Sequence, residues 1–562
     1  MKEKAVNRRK VLIIGLDGAT LDLLNPLVEK GELPVLKKMF EDGVVGELRT
    51  VFPPVTAAAW ASFMTGKNPG KHGIFEFLLR QGESFDREPV SADMCSGQAI
   101  WDLVSKAGKK VGVVNVPVTY PPRQVNGFLI SGMLTPPGDE RFSYPGTLIP
   151  ELERRFGKYR LLHTEVYSPG RVGNVIEELF QVFEYRLKTS RYLLEHHDWD
   201  FFMVHFAGID RLQHELWHIF DSTHPKHDPD EAARFEGRIM SFLREVDAGL
   251  QQLIQSAGEE TVVILMSDHG FGPIHKFVNF NIWLMESGYL RLKEDFITRA
   301  KYALFSRGFT PGLLYKLAMK LGLAKLRLSG GLAQRHRLIR LLKAVFLSMS
   351  SVDWSRTRAY SRGNYGQIFI NLKGREPQGI VEPGREYEEL RDEIMHDLRQ
   401  FRDPQTGEKI IGEILTKEEF YNGPYVDKAP DISFIARDMR YKPLGILEFA
   451  SRHLIEDTFG NSGDHRMNGL IALMGEGIRE NEIISGAQII DVAPTILHLL
   501  GLPVPVDMDG KVLKEALRED LLASHPVRYT EAPEGRGGQA GAYSQEESAL
   551  IEERLKGLGY WG

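Results

Sequence analysis

Four short runs hold residues that can do chemistry together. In Gly208-Ile-Asp-Arg-Leu-Gln-His214, Asp210 and His214 are four residues apart. On a helix that spacing stacks both side chains on one face, where a carboxylate and an imidazole can share a metal ion. In Ser267-Asp-His-Gly270, Asp268 and His269 follow directly behind an apolar run, and two groups this costly to bury call for a partner. Asp17 closes another apolar run at Gly15-Leu-Asp-Gly18. Thr56 ends Phe52-Pro-Pro-Val-Thr56, just before the helix-forming run Ala57 to Met64. Two prolines stop whatever precedes it, so Thr56 is predicted to be a helix N-cap. Unpaired N–H groups and the positive end of the dipole suit a phosphate there and favour an ionised hydroxyl.

Plain structural roles account for each run as well. Asp17-Gly18 makes a turn, Thr56 a simple cap, and Asp210 with His214 a solvated i,i+4 contact. Asp268-His-Gly270 can be a turn. His465, in glycine-led Gly463-Asp-His-Arg466, reads from its own residues as a surface histidine. His72 positions its loop, and His224 and His227 fall in a Pro/Asp-rich surface loop.

The elements that must carry these residues follow from the apolar pattern. Val11–Leu16, Val111–Val116, Asp200–Ala207, Thr261–Met266 and Leu470–Met474 are short apolar runs, as expected of strands buried on both faces. Phe128–Ser131 adds a shorter one. Thr20–Lys30, Pro34–Glu41, Ala99–Lys106, Val172–His197, Glu231–Ser256 and Gln488–Leu500 read as helices, and Asn68–Gly73 as a tight loop. The predicted fold class is α/β: a doubly wound, mostly parallel sheet with an inserted helical and α+β cap region. Ligands of such sheets gather beyond the C-terminal ends of strands, where Asp17, Asp268 and His269 fall. The chain divides into 8–275, the first part of the core; 276–447, the cap, with a basic helical segment at 297–350; 448–519, the core again; and 520–562, a linker with a tail helix.

With 562 residues, 42% hydrophobic and 26% charged, the chain can bury a large core. A net charge of −6 gives no footprint for duplex nucleic acid. Cys95 is the single cysteine, so any metal must use nitrogen and oxygen ligands. Val11–Leu16 is too short for a signal h-region or a membrane span, and a cytoplasmic location is expected. The cap has an unusual balance. Eleven Lys/Arg lie between Arg299 and Lys343, and no acid between Asp295 and Asp353. Two readings stand: a solvated helical hairpin hinged at Ser329-Gly330-Gly331, or a basic lid over segment 299–343 that meets an anionic substrate or a membrane surface peripherally.

As a set, Gly15-Leu-Asp-Gly18, Phe52-Pro-Pro-Val-Thr56 with Thr65-Gly66 and His72-Gly73, Asp210-Arg-Leu-Gln-His214, Ser267-Asp-His-Gly270 and Gly463-Asp-His465 resemble the alkaline phosphatase superfamily, and more closely its type I phosphodiesterase/nucleotide pyrophosphatase branch. Val492-Ala-Pro-Thr-Ile-Leu-His-Leu-Leu-Gly501 looks like the superfamily's closing helix. The whole chain looks like microbial proteins described as phosphohydrolases or phosphomutases. This resemblance implies an alkaline phosphatase-like core and two divalent ions, zinc or alternatively manganese. One ion would take Asp17, Thr56, Asp268 and His269, and the other Asp210, His214 and His465. It implies Thr56 as a nucleophile that becomes phosphorylated, and a small-molecule phosphate ester, diester or monoester, as substrate. The alternatives are a phosphomutase of the same superfamily and, from another class, a non-catalytic anion- or membrane-surface-binding protein. Two departures matter. His72-Gly-Ile-Phe-Glu-Phe77 lacks the Asn that such diesterases use to bond a phosphoryl oxygen, leaving Ala57 N–H with His275, Arg362 or Arg466 as candidates. Cys95 is followed by Ser-Gly-Gln, which disfavours the sulfatase relatives.

Overall fold

Along Lys10–Leu16, Val11 and Ile13 enter one core while Leu12, Ile14 and Leu16 enter another. Thr261–Met266 divides the same way, Val262, Ile264 and Met266 against Val263 and Leu265. A strand wet on neither face belongs in the middle of a layered α/β fold. The computed structural model describes residues 9–80, 85–165, 167–168, 170–320, 345–445, 449–533 and 541–557, apart from the side chains of 315, 318–320, 556 and 557. In it both strands lie centrally in a nine-stranded sheet. From one edge the order is Glu482–Gln488, Val44–Arg49, Asn468–Met474, Thr261–Met266, Lys10–Leu16, Phe201–Phe206, Val111–Val116, Gly127–Ser131 and Ser143–Tyr144. Asn468–Met474 and Ser143–Tyr144 run against their neighbours, and the other pairings are parallel. The fold is thus a mixed α/β structure wound on both faces of a mostly parallel sheet.

Thr56–Thr65 and Ile489–Leu499 pack on one face. Val172–His196 and Pro229–Ala257 cover the other. Every residue of Thr56–Thr65 is buried, which explains its small, apolar composition and lack of a polar stripe. Gly66 ends it in the left-handed region at φ 65°.

Between Lys276 and Asp457 the chain builds a further core around Phe280, Trp283, Ile368, Leu390 and Phe434. A four-stranded sheet in the order Ala359–Ser361, Gln367–Ile370, Ile432–Ala436, Ile411–Thr416 carries the Arg385–Gln400 helix. Lys276–Asn279 pairs with Tyr441–Leu444 and Ile455–Asp457 beside it. Phe420 stacks on Phe52 at 4.5 Å, and Tyr421 donates to Phe52 O at 2.9 Å. This insert therefore touches the segment that leads to Thr56.

Two local expectations need revision, and one strand of the sheet was not anticipated. Val44–Arg49 is a strand of the central sheet, with half its residues buried in alternation. Asn68–Gly73 contains a helical turn, Pro69–His72, capped by Asn68 Oδ1 accepting from Gly70 N at 2.8 Å. Within the expected linker, Tyr529–Thr530 pairs with Val504–Pro505. The tail helix, Gln545–Gly557, buries Ile551 and Leu555. Ser329-Gly330-Gly331, Tyr560 and Trp561 lie outside the described residues.

Candidate metal centre

Val44–Arg49, Thr261–Met266, Lys10–Leu16 and Phe201–Phe206 run in one direction, so their C-terminal ends share one edge of the sheet. Asn468–Met474 runs the other way, so its start reaches that same edge. Asp17 follows the first strand, Thr56 opens the next helix after Val44–Arg49, and Asp210 and His214 sit on the Gly208–Phe220 helix behind Phe201–Phe206. Asp268 and His269 follow Thr261–Met266. His465 lies on Gly463–Arg466, which pairs antiparallel with Gly270–Pro273, His465 opposite Phe271.

These seven residues form one dry cluster, each between 0% and 2% exposed. Thr56 Oγ1 is 3.3 Å from His269 Nε2. That nitrogen is 3.4 Å from Asp17 Oδ1 and from Asp268 Oδ2, and 4.0 Å from Asp210 Oδ1. Asp210 Oδ1 also lies 3.4 Å from His214 Nε2 and 3.3 Å from His465 Nε2. Asp210, His214 and His465 make one group of converging ligand atoms, and Asp17, Asp210 and His269 a second. Asp210 belongs to both, while Asp268 flanks the second group.

The histidine tautomers are fixed by their outer nitrogens. His214 Nδ1 faces Gly463 O at 3.2 Å, His269 Nδ1 faces Gly270 O at 3.1 Å, and His465 Nδ1 faces Pro54 O at 2.6 Å. A carbonyl only accepts, so each Nδ1 carries a hydrogen and each Nε2 faces inward as the atom that can bind a metal or share a proton. His214 Nε2 and His465 Nε2 stand 2.9 Å apart. Two lone pairs at that distance repel unless a cation or proton sits between them.

The carboxylates tell the same story. Burial, and then the neighbouring Asp17 carboxylate, push Asp268 well above its ordinary range. Burial works against ionised Asp210 too, but His214 and His465 hold it well below that range. Burial, followed by His465, lowers His269 to about 3. Asp17 Oδ1 and Asp268 Oδ2 are buried and accept no hydrogen bond. Three carboxylates this close and dry cannot all ionise without counter-charge. Oxygen and imidazole donors with inward-facing Nε2 atoms fit a divalent ion such as zinc or manganese.

Three readings made from single residues are overturned. Val55 is the cap and Thr56 the first helical residue, so the Thr56 hydroxyl faces His269 instead of closing the helix end. His465 is buried, not at the surface. Of the two loop histidines, His224 is buried, its Nε2 3.0 Å from Ile274 O. His72 is bonded to Ser62 Oγ at 2.8 Å and to Ile74 N at 3.1 Å, inside the Thr56 side of the core.

Sequence reasoning passed over several neighbours. His205 Nε2 is 2.7 Å from Asp17 Oδ2, which orients that carboxylate. Its one signal was a polar residue within the buried Phe201–Phe206 strand. Lys442 Nζ pairs with Asp464 Oδ2 at 2.8 Å, and Tyr365 Oη donates to Asp464 Oδ1 at 3.0 Å. Burial opposes the charge on Asp464, yet Lys442 holds it far below the usual carboxylate range. Tyr365, Tyr441, Lys442, Asp464, His465 and Phe52 line a narrow cleft between insert and core. Nothing local in Tyr441-Lys-Pro-Leu444 announces this.

The three candidates for a phosphate contact fare differently. Arg466 lines the same cleft, but its guanidinium donates to the carbonyls of Pro273, Asp464 and His465. Arg362 donates to Phe85 O at 2.7 Å. His275 packs edge-on against His224 at 5.4 Å. Phe77 is buried in the core, and burial raises Glu76 beside it to about 7. Burial also raises the Cys95 thiol to about 12, leaving it unreactive.

The sequence matches the type I phosphodiesterase / nucleotide pyrophosphatase family over residues 11–441. A 2,3-bisphosphoglycerate-independent phosphoglycerate mutase from Synechocystis sp. is 25% identical over 171 residues, a match spanning 30% of this chain and 28% of that enzyme. Among solved structures, human ectonucleotide pyrophosphatase / phosphodiesterase 5 is 13% identical with a TM-score of 0.49, covering 91% of this chain and 100% of its own. Phosphonoacetate hydrolase from Sinorhizobium meliloti 1021, in complex with phosphonoformate, is 14% identical with a TM-score of 0.49, covering 86% and 94%.

Proposed function

Because the chain belongs to the type I phosphodiesterase / nucleotide pyrophosphatase family of the alkaline phosphatase superfamily, we propose that it is a metal-dependent phosphoric ester hydrolase whose nucleophile is Thr56. Asp17, Thr56, Asp268 and His269 would hold one divalent ion, and Asp210, His214 and His465 a second, zinc or alternatively manganese. Two such ions, when bound, lower the pKa of the hydroxyl and offset the charge of a phosphoryl group. Thr56 Oγ1 then attacks phosphorus, the bond to the leaving alcohol breaks, and the alcohol departs with the electron pair and takes up a proton. Water attacks the resulting phospho-Thr56 ester and restores the hydroxyl. The products are an alcohol plus phosphate from a monoester, or plus a phosphomonoester from a diester. His205 keeps Asp17 aligned throughout. With no Asn after His72-Gly73, Lys442 is the cation assigned to the phosphoryl oxygens, steadied by Asp464 and Tyr365.

The observation that carries this reading is the Thr56 hydroxyl at 3.3 Å from an inward-facing Nε2 of His269, at the first turn of a fully buried helix. The test is turnover of chromogenic phosphate monoesters and diesters by zinc- or manganese-loaded protein and by Thr56→Ala. The variant should lose about 10³-fold or more in kcat with unchanged circular dichroism; parental activity would remove Thr56 from the role. A phosphomutase has one specific support, the partial likeness to a phosphoglycerate mutase. It would return the phosphoryl group from Thr56 to a second hydroxyl of the substrate. Product analysis on a sugar phosphate separates the two, an isomer against free phosphate.

A further inference from the structure

Among the described residues ten large hydrophobic side chains stand exposed, and seven of them fall between Phe296 and Leu317. Phe296 is 85% exposed and Ile297 65%; Leu304, Phe309, Leu313 and Leu317 are each near 40% or above. All but Phe309, which lies in the turn between them, belong to two consecutive helices, Phe296–Ser306 and Pro311–Lys320. The first buries only Thr298 and Phe305, the latter against Phe449. Leu313 and Leu317, four residues apart, share one face of the second. Scattered singly such residues would need no explanation, but seven in succession do.

Within the segment the charges are all basic, although Lys316 reaches out to Glu456 at 2.8 Å and Arg299 to Glu294 at 4.0 Å. Arg299, Arg307 and Lys316 are exposed in the same segment, and no acid occurs from Phe296 to Val352. The following run, 321–344, adds further Lys and Arg and no acid, so it has no counter-charge to bring to these bases. A second copy meeting the same face would set base against base. Apolar side chains interleaved with bases match a bilayer surface with anionic headgroups, the apolar groups entering the acyl boundary and the bases staying at headgroup level. No helix among the described residues is long and apolar enough to cross a membrane.

We propose that the face formed by Phe296–Lys320 docks peripherally on an anionic lipid surface. The helices are tied to the chain that leads to the metal centre. Gly312 N donates to Ala450 O at 2.9 Å, and Lys316 Nζ sits 4.7 Å over the ring of Phe459, six residues before His465. Docking there orients the cleft relative to the lipid.

The test is sedimentation of the full chain with phosphatidylcholine vesicles containing phosphatidylglycerol, and with phosphatidylcholine alone. The parent should pellet with the anionic vesicles, stay in the supernatant with neutral ones, and be released by added salt. Leu304→Gln/Leu313→Gln/Leu317→Gln should lower the partition coefficient about tenfold or more, while turnover of a soluble ester and the melting temperature stay parental. A parent that remains in solution with anionic vesicles overturns the proposal, as does a variant that pellets equally. A lipid-free parent dimer that the triple variant dissociates also overturns it, by assigning the face to a second copy. Should the variant misfold, the lipid and salt dependence of the parent still decides. Pelleting involves no turnover, so its failure leaves the hydrolase reading untouched.

Discussion

The metal centre and the Phe296–Lys320 helices are opposites in charge, wetness and sequence distance. The centre gathers Asp17, Asp210 and Asp268 from distant segments into a site no more than 2% exposed. The helices spread bases and apolar groups over one local, solvated stretch. Dry charge must be compensated on the spot, and losing one partner costs several kcal/mol, about 3–5. Wet charge costs little, binds weakly at each position and is screened by salt. The first region should therefore fail abruptly under single substitutions and ignore ionic strength. The second should fail gradually and respond to it.

The largest effect is expected where both ligand groups share an atom. Asp210 Oδ1 faces His214, His465 and His269, so Asp210→Asn removes a charge from both groups at once. It should lose at least one metal equivalent by elemental analysis and about 10³-fold in kcat, at low and high salt alike. Full metal content in that variant would take Asp210 out of the ligand set. Neutralising Lys301 or Arg307 on the exposed helices should leave both quantities unchanged.

A middle-sized effect sharpens the boundary between the regions. Lys442 is a base, yet it is 4% exposed and paired with Asp464, so it should behave like the dry region. Lys442→Met should raise KM for a phosphate ester about 10- to 100-fold and also lower stability, because Asp464 loses the ammonium that pairs with it at 2.8 Å in a dry site. Lys442→Met/Asp464→Asn should recover the stability and not the KM. If the double variant recovers both, Lys442 serves only Asp464. The pH dependence follows in sign: the depressed carboxyl of Asp464 contributes stability above its ordinary value of 3.8 and loses it as pH falls below that value.

Local pattern explains what the sequence made legible. The central strands announce themselves because burial on both faces demands continuous apolar runs, and the Asp210/His214 pair because four residues make a helical turn. Asp268 and His269 were conspicuous as polar groups behind a buried strand. His465 was not, because its burial comes from pairing with Gly270–Pro273 almost two hundred positions earlier. Lys442 and Tyr365 were equally hidden, since their cleft exists only where insert meets core. Val44–Arg49 was missed because its exposed half carries Glu47 and Arg49, which dilute a strand signal. For Thr56 the sequence located the helix start within one residue, and that one residue decides whether the hydroxyl serves the backbone or the site.

The smallest effect probes the dry region away from its ligands. His72 Nδ1 accepts from Ile74 N, so its Nε2–H donates to Ser62 Oγ and the ring is neutral. Burial lowers its pKa from 6.5 to about 3. Below pH 6.5 the unfolded chain takes up a proton that the folded chain refuses, so His72 subtracts stability as pH falls from 6.5 towards 3. His72→Gln keeps a donor and an acceptor but cannot titrate. At pH 7 the variant should be less stable by about 1 kcal/mol, the worth of an imperfectly replaced hydrogen bond. At pH 5 the deficit should shrink by roughly 1–2 kcal/mol, to nothing or to a small gain. Urea titrations of parent and variant at the two pH values measure this difference, and groups common to both, the metal ligands included, cancel from it. An unchanged deficit would mean that the ring is already charged or solvated, and that the dry region ends short of the turn after the Thr56 helix.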